Sequence, residues 1–290
     1  MRTMPKAPIQ PAEFYENQYN ARAGIPDHPQ IFARWAEQSA TVRQQHRCQL
    51  DLAYGAASAE RLDFFPCDQA DAPLLVFIHG GWWRSLDKSD FSFITPAFTQ
   101  CGVHVAITNY TLAPAASIEQ ITLQQVAAVA WLYQQADTLG FNRQRIVLAG
   151  HSAGAHLAAM LMTTLWPKVA PDLPADLVKG GILLSGLYDL APIQHAAFVN
   201  VDLQLTPARI ARLSPARLPQ SHLTPFFTAA GALESSEFQR QNKLIGKVWS
   251  HAHGGDVLLP TANHLTICDA LAEPSHRLCQ VAQTLATMAM

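Results

Sequence analysis

From residue 74 onward the chain alternates between two patterns. Short unbroken apolar runs recur, each bounded by glycine or polar residues: 74–79 (LLVFIH), 103–108 (VHVAIT), 145–150 (RIVLAG), 180–186 (GGILLSG), 225–231 (PFFTAAG) and 256–260 (DVLLP). Runs of this length without polar alternation predict strands buried on both faces. Between them lie stretches of helical character, 118–139, 155–165, 236–250 and 274–288. Strands that alternate with helices imply right-handed crossovers, and so a mostly parallel central sheet with helices on both faces. Segments 48–54 and 61–65 alternate well enough to predict an additional strand pair ahead of that series.

The first fifty residues are more polar. Pro5, Pro8, Pro11, Pro26 and Pro29 are expected to break any long element there. This region (about 1–60) and the stretch of about 195–221, where the alternation is interrupted, are expected to form a small cap on a single domain spanning 1–290. The proline-bearing stretch at 169–174 is further candidate cap material.

Composition narrows the functional classes. Hydrophobic residues make up 49% of the 290 and charged residues only 14%, below the roughly 25% usual in soluble domains. That balance excludes a largely disordered chain. The net charge of −2 offers no basic excess for phosphate contact, which argues against nucleic acid as a partner. No apolar run approaches the roughly 18 residues of a membrane span, and no apolar stretch of secretory type follows the basic residues near the start. The five cysteines are widely spaced with no CxxC, so neither a disulfide framework nor a zinc knuckle is expected. His251 and His253 form an HxH without a second ligand cluster, so no metal is expected. A cytoplasmic protein acting on a small molecule follows, without membrane or nucleic-acid partners; a homodimer is one permitted assembly.

The chemistry concentrates at Gly150-His151-Ser152-Ala153-Gly154, a G-x-S-x-G between a strand pattern and a helix pattern. A sharp strand–turn–helix of this kind lifts a serine hydroxyl into the open, and small flanking residues let neighbouring backbones approach. Ser152 is therefore the candidate nucleophile. The second segment, His79-Gly80-Gly81-Trp82-Trp83, directly follows a predicted strand. Glycines there allow backbone N–H groups close to a tetrahedral oxyanion. Gly80, Gly81 and Ala153 are the candidate oxyanion donors, and His79 reads as a buried histidine that orders the loop.

A serine nucleophile needs a base and an acid that orients it, in the chain order Ser, acid, His. Of the twelve histidines, His264 alone follows the last predicted strand at the position of a catalytic loop; His276 falls in a helix pattern, and His222, His251 and His253 precede strands. Glu234 follows the strand 225–231 and is the leading acid. Asp189, after the preceding strand, is its main competitor and is otherwise a loop-ordering or capping carboxylate. Trp82 and Trp83, with Phe91, are candidates for an aromatic substrate wall, or else core residues. Arg84 could meet a substrate carboxylate or be a solvated surface arginine.

Taken together, 79–93 (HGGWWRSLDKSDFSF), 150–160 (GHSAGAHLAAM), 185–193 (SGLYDLAPI), 213–215 (LSP), 234–241 (ESSEFQRQ) and 263–267 (NHLTI) resemble the arylformamidase (kynurenine formamidase) group of α/β hydrolases, which is related to the hormone-sensitive-lipase-like esterases. The segments at 13–28 and 109–114 extend the resemblance, which runs from about residue 13 to 285. It implies an α/β-hydrolase fold and a cytosolic, metal-free serine hydrolase without cofactor, with nucleophile, acid and base falling on Ser152, Glu234 and His264. It implies cleavage of an aryl formamide or short-chain aryl ester, N-formylkynurenine being the named expectation. Two departures stand out: the group's acid is commonly Asp where this chain has Glu234, and the residue after HGG is often Tyr where it has Trp82. A broad short-chain carboxylesterase and a catalytically silent binding protein of the same fold are the alternatives.

Overall fold

The computed structural model describes residues 10–288. Eight strands form one sheet: β1 Gln49–Ala53, β2 Arg61–Phe65, β3 Ala72–Ile78, β4 His104–Thr108, β5 Phe141–His151, β6 Val178–Leu184, β7 Phe226–Gly231 and β8 His253–Leu259. Their order is β1-β2-β4-β3-β5-β6-β7-β8. The β1–β2 and β2–β4 pairs are antiparallel and every other pair is parallel. The helices are α1 Ala12–Tyr19, α2 His28–Gln45, α3 Thr95–Thr99, α4 Ile118–Leu139, α5 Ala153–Met162, α6 Trp166–Val169, α7 Ala197–Leu203, α8 Pro207–Leu213, α9 Ser236–Val248, α10 Ile267–Ala272 and α11 Arg277–Met288.

The apolar runs are strands because both of their faces are covered. In β3, Leu74, Val76 and Ile78 enter a core shared with α4 and α5, while Leu75 and Phe77 enter the opposite core with Val105, Ile107, Trp35 of α2 and Leu278 of α11. Successive side chains point to opposite faces, so a strand between two helical layers has no polar position to spare. Helix α4 starts at a capping box between Ser117 and Gln120 and stops at Gly140, whose φ is +81°.

Helix α2 corrects one expectation. Eighteen residues are helical across the proline-bearing region, because Pro29 lies in the first turn, where a missing N–H costs nothing. Pro26 and Pro11 lie outside the helices, and Pro5 and Pro8 lie outside the described residues. Helix α10 interrupts what the pattern left as loop, and α11 begins at Arg277, so His276 precedes it and accepts from Leu278 N–H.

The sheet order reverses direction at β3, which lies between β4 and β5. Ligand crevices in open parallel sheets form beyond the carboxyl ends of strands at such a switch. The segments leaving β3, β5, β7 and β8 carry His79–Gly81, Ser152, Glu234 and His264 to that end. Phe198 of α7 packs on Trp82 at this end, and α1 packs against the 3-10 turn at Pro192–His195, α7 and α9.

Candidate active site

Ser152 sits on the turn from β5 into α5 with φ +57° and ψ −118°, a conformation costly for a non-glycine residue and concentrated at functional sites. The surroundings hold it there. A Cβ on Gly154 would lie 1.9 Å from the Ile78 carbonyl oxygen, and one on Gly150 would lie 2.4 Å from the Gly154 oxygen. The helix thus presses directly on β3, and the small residues of G-x-S-x-G are steric requirements.

Three side chains from three different loops meet here. Ser152 Oγ lies 3.0 Å from His264 Nε2, and His264 Nδ1–H donates to Glu234 Oε2 at 2.7 Å. The Glu234 side chain has no exposed surface and that of His264 has 8%. The other carboxylate oxygen, Glu234 Oε1, accepts from Ser185 Oγ and from Gly231 N–H, both at 2.6 Å. The carboxylate is therefore fixed by three donors. Asp189 does not join them: it accepts from Arg217 Nη2 and from Ala191 N–H, the loop-ordering arrangement. Glu237 lies in α9 and binds Tyr19 Oη and Arg240.

The His79–Gly81 loop lies against the serine. A Cβ on Gly80 would be 2.8 Å from the His151 carbonyl oxygen and 3.0 Å from Ser152 Cβ. Gly81 has φ +99°, and Trp82 and Trp83 follow at +57°, so the loop is wound through a region that side chains disfavour. Among the described residues the N–H groups of Gly80, Gly81 and Ala153 donate to no protein acceptor, which leaves them free for an anion beside Ser152. His79 orders this loop. Its ring lies between Tyr110 and Phe91 at centroid distances of 4.4 and 6.0 Å, its nitrogens reach Gly80 O and Asn109 Oδ1, and burial holds its pKa below the ordinary histidine value. Tyr110 Oη donates to the carbonyls of His79 and Gly80.

The aromatic candidates separate. Trp83 and Phe91 are fully buried; Trp83 meets His156 edge-on, and Phe91 belongs to the core with Trp35 and Phe77. Trp82 keeps 8% exposure, between Tyr19 of α1 and Phe198 of α7. Arg84 is tied to Asp202 of α7 at 2.5 Å.

Several supports carry no sequence signature. Ser185 follows β6 and reaches Glu234 only because β6 and β7 are neighbours. His151 Nε2–H donates to the His264 carbonyl at 2.7 Å, and burial first, then the nearby His264, hold its pKa well below the ordinary value. Phe238 of α9 lies against the His264 ring at 4.2 Å. Tyr19 packs edge-on to both Trp82 and Phe238, so α1 bridges the glycine loop and the histidine side of the site. A cavity of about 380 Å³ opens beside His264 and Glu234, walled by Phe238, Asn263 and the turn following α1.

Among the described residues no three His, Cys, Asp or Glu side chains are grouped to hold a metal ion, and no helix is long and apolar enough to cross a membrane.

The sheet order, the serine on its strained strand–helix turn and the histidine after the last strand define an α/β hydrolase. The protein-family model BD-FAE matches residues 62–168. A kynurenine formamidase from Salmo salar is 32% identical over 244 residues, covering 80% of each chain. One from Danio rerio is 35% identical over 203 residues, covering 67% of this chain and 66% of its own. The chain belongs to the kynurenine formamidase family. Among solved structures, a candidate thioesterase from Silicibacter sp. superposes with a TM-score of 0.81 at 27% identity, over 95% of this chain and 98% of its own. A hyperthermophilic esterase from Pyrobaculum calidifontis shares the fold with a TM-score of 0.73 at 17% identity, over 96% and 97%.

Proposed function

We propose that the protein is a metal-free serine hydrolase that cleaves an aryl formamide, N-formylkynurenine in the first instance, through a formyl-enzyme intermediate. The observation that carries this reading is the continuous line from Ser152 Oγ to His264 and on to the buried Glu234 carboxylate. Family membership supports the substrate.

In this reading Ser152 Oγ attacks the formyl carbon as its proton passes to His264 Nε2. The oxyanion is met by the N–H groups of Gly80, Gly81 and Ala153; losing one such donor typically costs about 2.7–4 kcal/mol. The C–N bond then breaks, and the arylamine takes its proton from His264. Water attacks the formyl-enzyme and gives its proton to His264, which returns one to Ser152 Oγ as formate leaves. Glu234 keeps the His264 proton on Nδ1 throughout and stabilises the imidazolium.

The test is turnover of N-formylkynurenine beside p-nitrophenyl acetate and butyrate, with Ser152→Ala as control. The formamide is expected to be the preferred substrate, and Ser152→Ala to fall to a residual rate about 10³–10⁴ above water. Preference for the esters makes the protein a short-chain carboxylesterase with the same residues at work. Failure of Ser152 to label with a fluorophosphonate, together with no turnover, makes it a silent binding protein. Near-wild-type activity of Ser152→Ala overturns the nucleophile assignment.

A further inference from the structure

The segment leaving β4 meets the glycine loop at two points. Tyr110 Oη shares its proton between the His79 carbonyl at 3.0 Å and the Gly80 carbonyl at 3.2 Å. Three residues on, Ala113 N–H donates to the Trp83 carbonyl at 2.8 Å. The segment is itself tied down: the Asn109 carbonyl accepts from Tyr54 Oη and Gln125 Nε2, and Asn109 Nδ2 donates to Asp87. The Tyr110 ring lies flat on the His79 ring, with 4.4 Å between centroids and 10° between planes. Tyr110 is buried. Burial pushes its phenol pKa up, so the hydroxyl stays a donor.

The two carbonyls that this hydroxyl grips belong to consecutive peptides. The His79 carbonyl shares a plane with Gly80 N–H, and the Gly80 carbonyl shares one with Gly81 N–H. Both peptides are trans, so each N–H points away from the carbonyl of its own plane. One hydroxyl thus holds the backs of the two peptides whose fronts are the candidate oxyanion donors. Gly80 and Gly81 have no Cβ to restrain those planes, so the restraint must come from a neighbour. A donor on a carbonyl also polarises the N–H at the other end of the same peptide. We propose that Tyr110 is the positioning residue of the oxyanion hole, aiming the N–H groups of Gly80 and Gly81 at the oxygen on which charge develops. The proposal rests on the serine-hydrolase reading and adds a residue to it. Acting from behind the loop, the hydroxyl favours states that carry an oxyanion over neutral ones, which is the condition for raising kcat.

The experiment compares wild type with Tyr110→Phe, which keeps the ring on His79 and removes the hydroxyl, on protein shown to melt cooperatively. Two ketones serve as inhibitors of phenyl acetate hydrolysis. With trifluoroacetophenone, Ser152 Oγ adds to the carbonyl carbon, the serine proton passes to His264, and the carbonyl oxygen is left as an alkoxide in the hole. Acetophenone binds as the neutral ketone. In Tyr110→Phe the trifluoroketone is expected to lose at least about tenfold in affinity while acetophenone stays within about twofold. The kcat/KM for phenyl acetate is expected to fall by the factor that the trifluoroketone loses, through kcat with KM little changed. A smaller trifluoroketone loss, or one shared by both ketones, overturns the proposal and leaves Tyr110 as a packing support. A wild type that does not prefer the trifluoroketone, or whose preference survives Ser152→Ala, loses the serine-hydrolase reading and the proposal with it. If Tyr110→Phe does not fold, 3-fluorotyrosine placed at position 110 decides. The fluorine makes the hydroxyl a stronger donor, so the preference for the trifluoroketone is expected to widen beyond that of the wild type; an unchanged or narrower preference overturns the proposal.

Discussion

Replacing Glu234 with Gln changes one atom, and the structure fixes what that change does. The Glu234 side chain is sealed from solvent and divides its acceptors between two tasks: Oε1 takes Ser185 Oγ and Gly231 N–H, and Oε2 takes His264 Nδ1–H. An amide has one oxygen. If that oxygen keeps the two bonds at the Oε1 position, the NH₂ faces His264 Nδ1. That nitrogen must then accept, so the ring proton moves to Nε2 and points at Ser152 Oγ, where a proton acceptor is required. If the amide turns over, its NH₂ confronts the Gly231 N–H, donor against donor. In the serine-protease case the corresponding Asp→Asn change leaves the geometry intact and lowers kcat about 10⁴-fold, or about 5.4 kcal/mol at 1.36 kcal/mol per decade. The burial of Glu234 puts Glu234→Gln at that magnitude, about 10³–10⁴. The assay is kcat at saturating substrate on protein shown to melt cooperatively, with Asp189→Asn in parallel and expected to lose less than about tenfold. A folded Glu234→Gln within tenfold of wild type refutes the tautomer argument, and an inactive Asp189→Asn beside it moves the acid to the loop after β6.

Three further outcomes follow. Burial holds His79, His104, His151 and His156 below the ordinary histidine value, His156 at about 4. Below about pH 6.5 the unfolded chain takes up protons that the folded chain refuses, so stability falls with pH by up to about 1.4 kcal/mol per unit for each histidine; melting temperatures from pH 8 to 5 that stay level contradict this. Lys88, with 7% of its side chain exposed, binds Asp63 at 1% and the outlying Asp51. Lys88→Met strands the Asp63 carboxylate and is expected to cost about 3–5 kcal/mol in denaturant unfolding, whereas a loss under 1 kcal/mol shows that water reaches Asp63. Gly154→Ala drives a methyl into the Ile78 carbonyl and is expected to cost at least about 1–3 kcal/mol, read as a lowered melting temperature; an undisturbed melt shows that α5 can slide on β3.

The strands were legible because β3 to β7 are sandwiched between helices and show it as unbroken apolar runs. The positions of Ser152, Glu234 and His264 were legible because each follows such a run. What the chain hides is whatever depends on which strands become neighbours. Ser185 is an ordinary serine until β6 lies beside β7, and Tyr19 is an ordinary aromatic residue until α1 crosses to α9. Helix α2 was hidden by a different cause: proline counts as a breaker in mid-helix but is harmless in the first turn, and only the register of the helix tells the two apart. Helix α10 is six residues long, too short for a periodicity to register.

The reach of α1 across the site sets an order of events in time. Tyr19 donates to Glu237, 218 residues further along the chain. At roughly 5–20 residues per second, synthesis keeps those two partners apart for about 10–45 s. During that interval α1 can meet Trp82, the turn at Pro192–His195 and α7, but its contacts with α9, through Glu237 and Phe238, cannot form. The α1–α9 contact is therefore late relative to the other contacts of α1. A nascent chain halted before α9 is expected to leave Tyr19 more open to protease than the full chain does, and the wall beside His264 is complete only once α9 has been made.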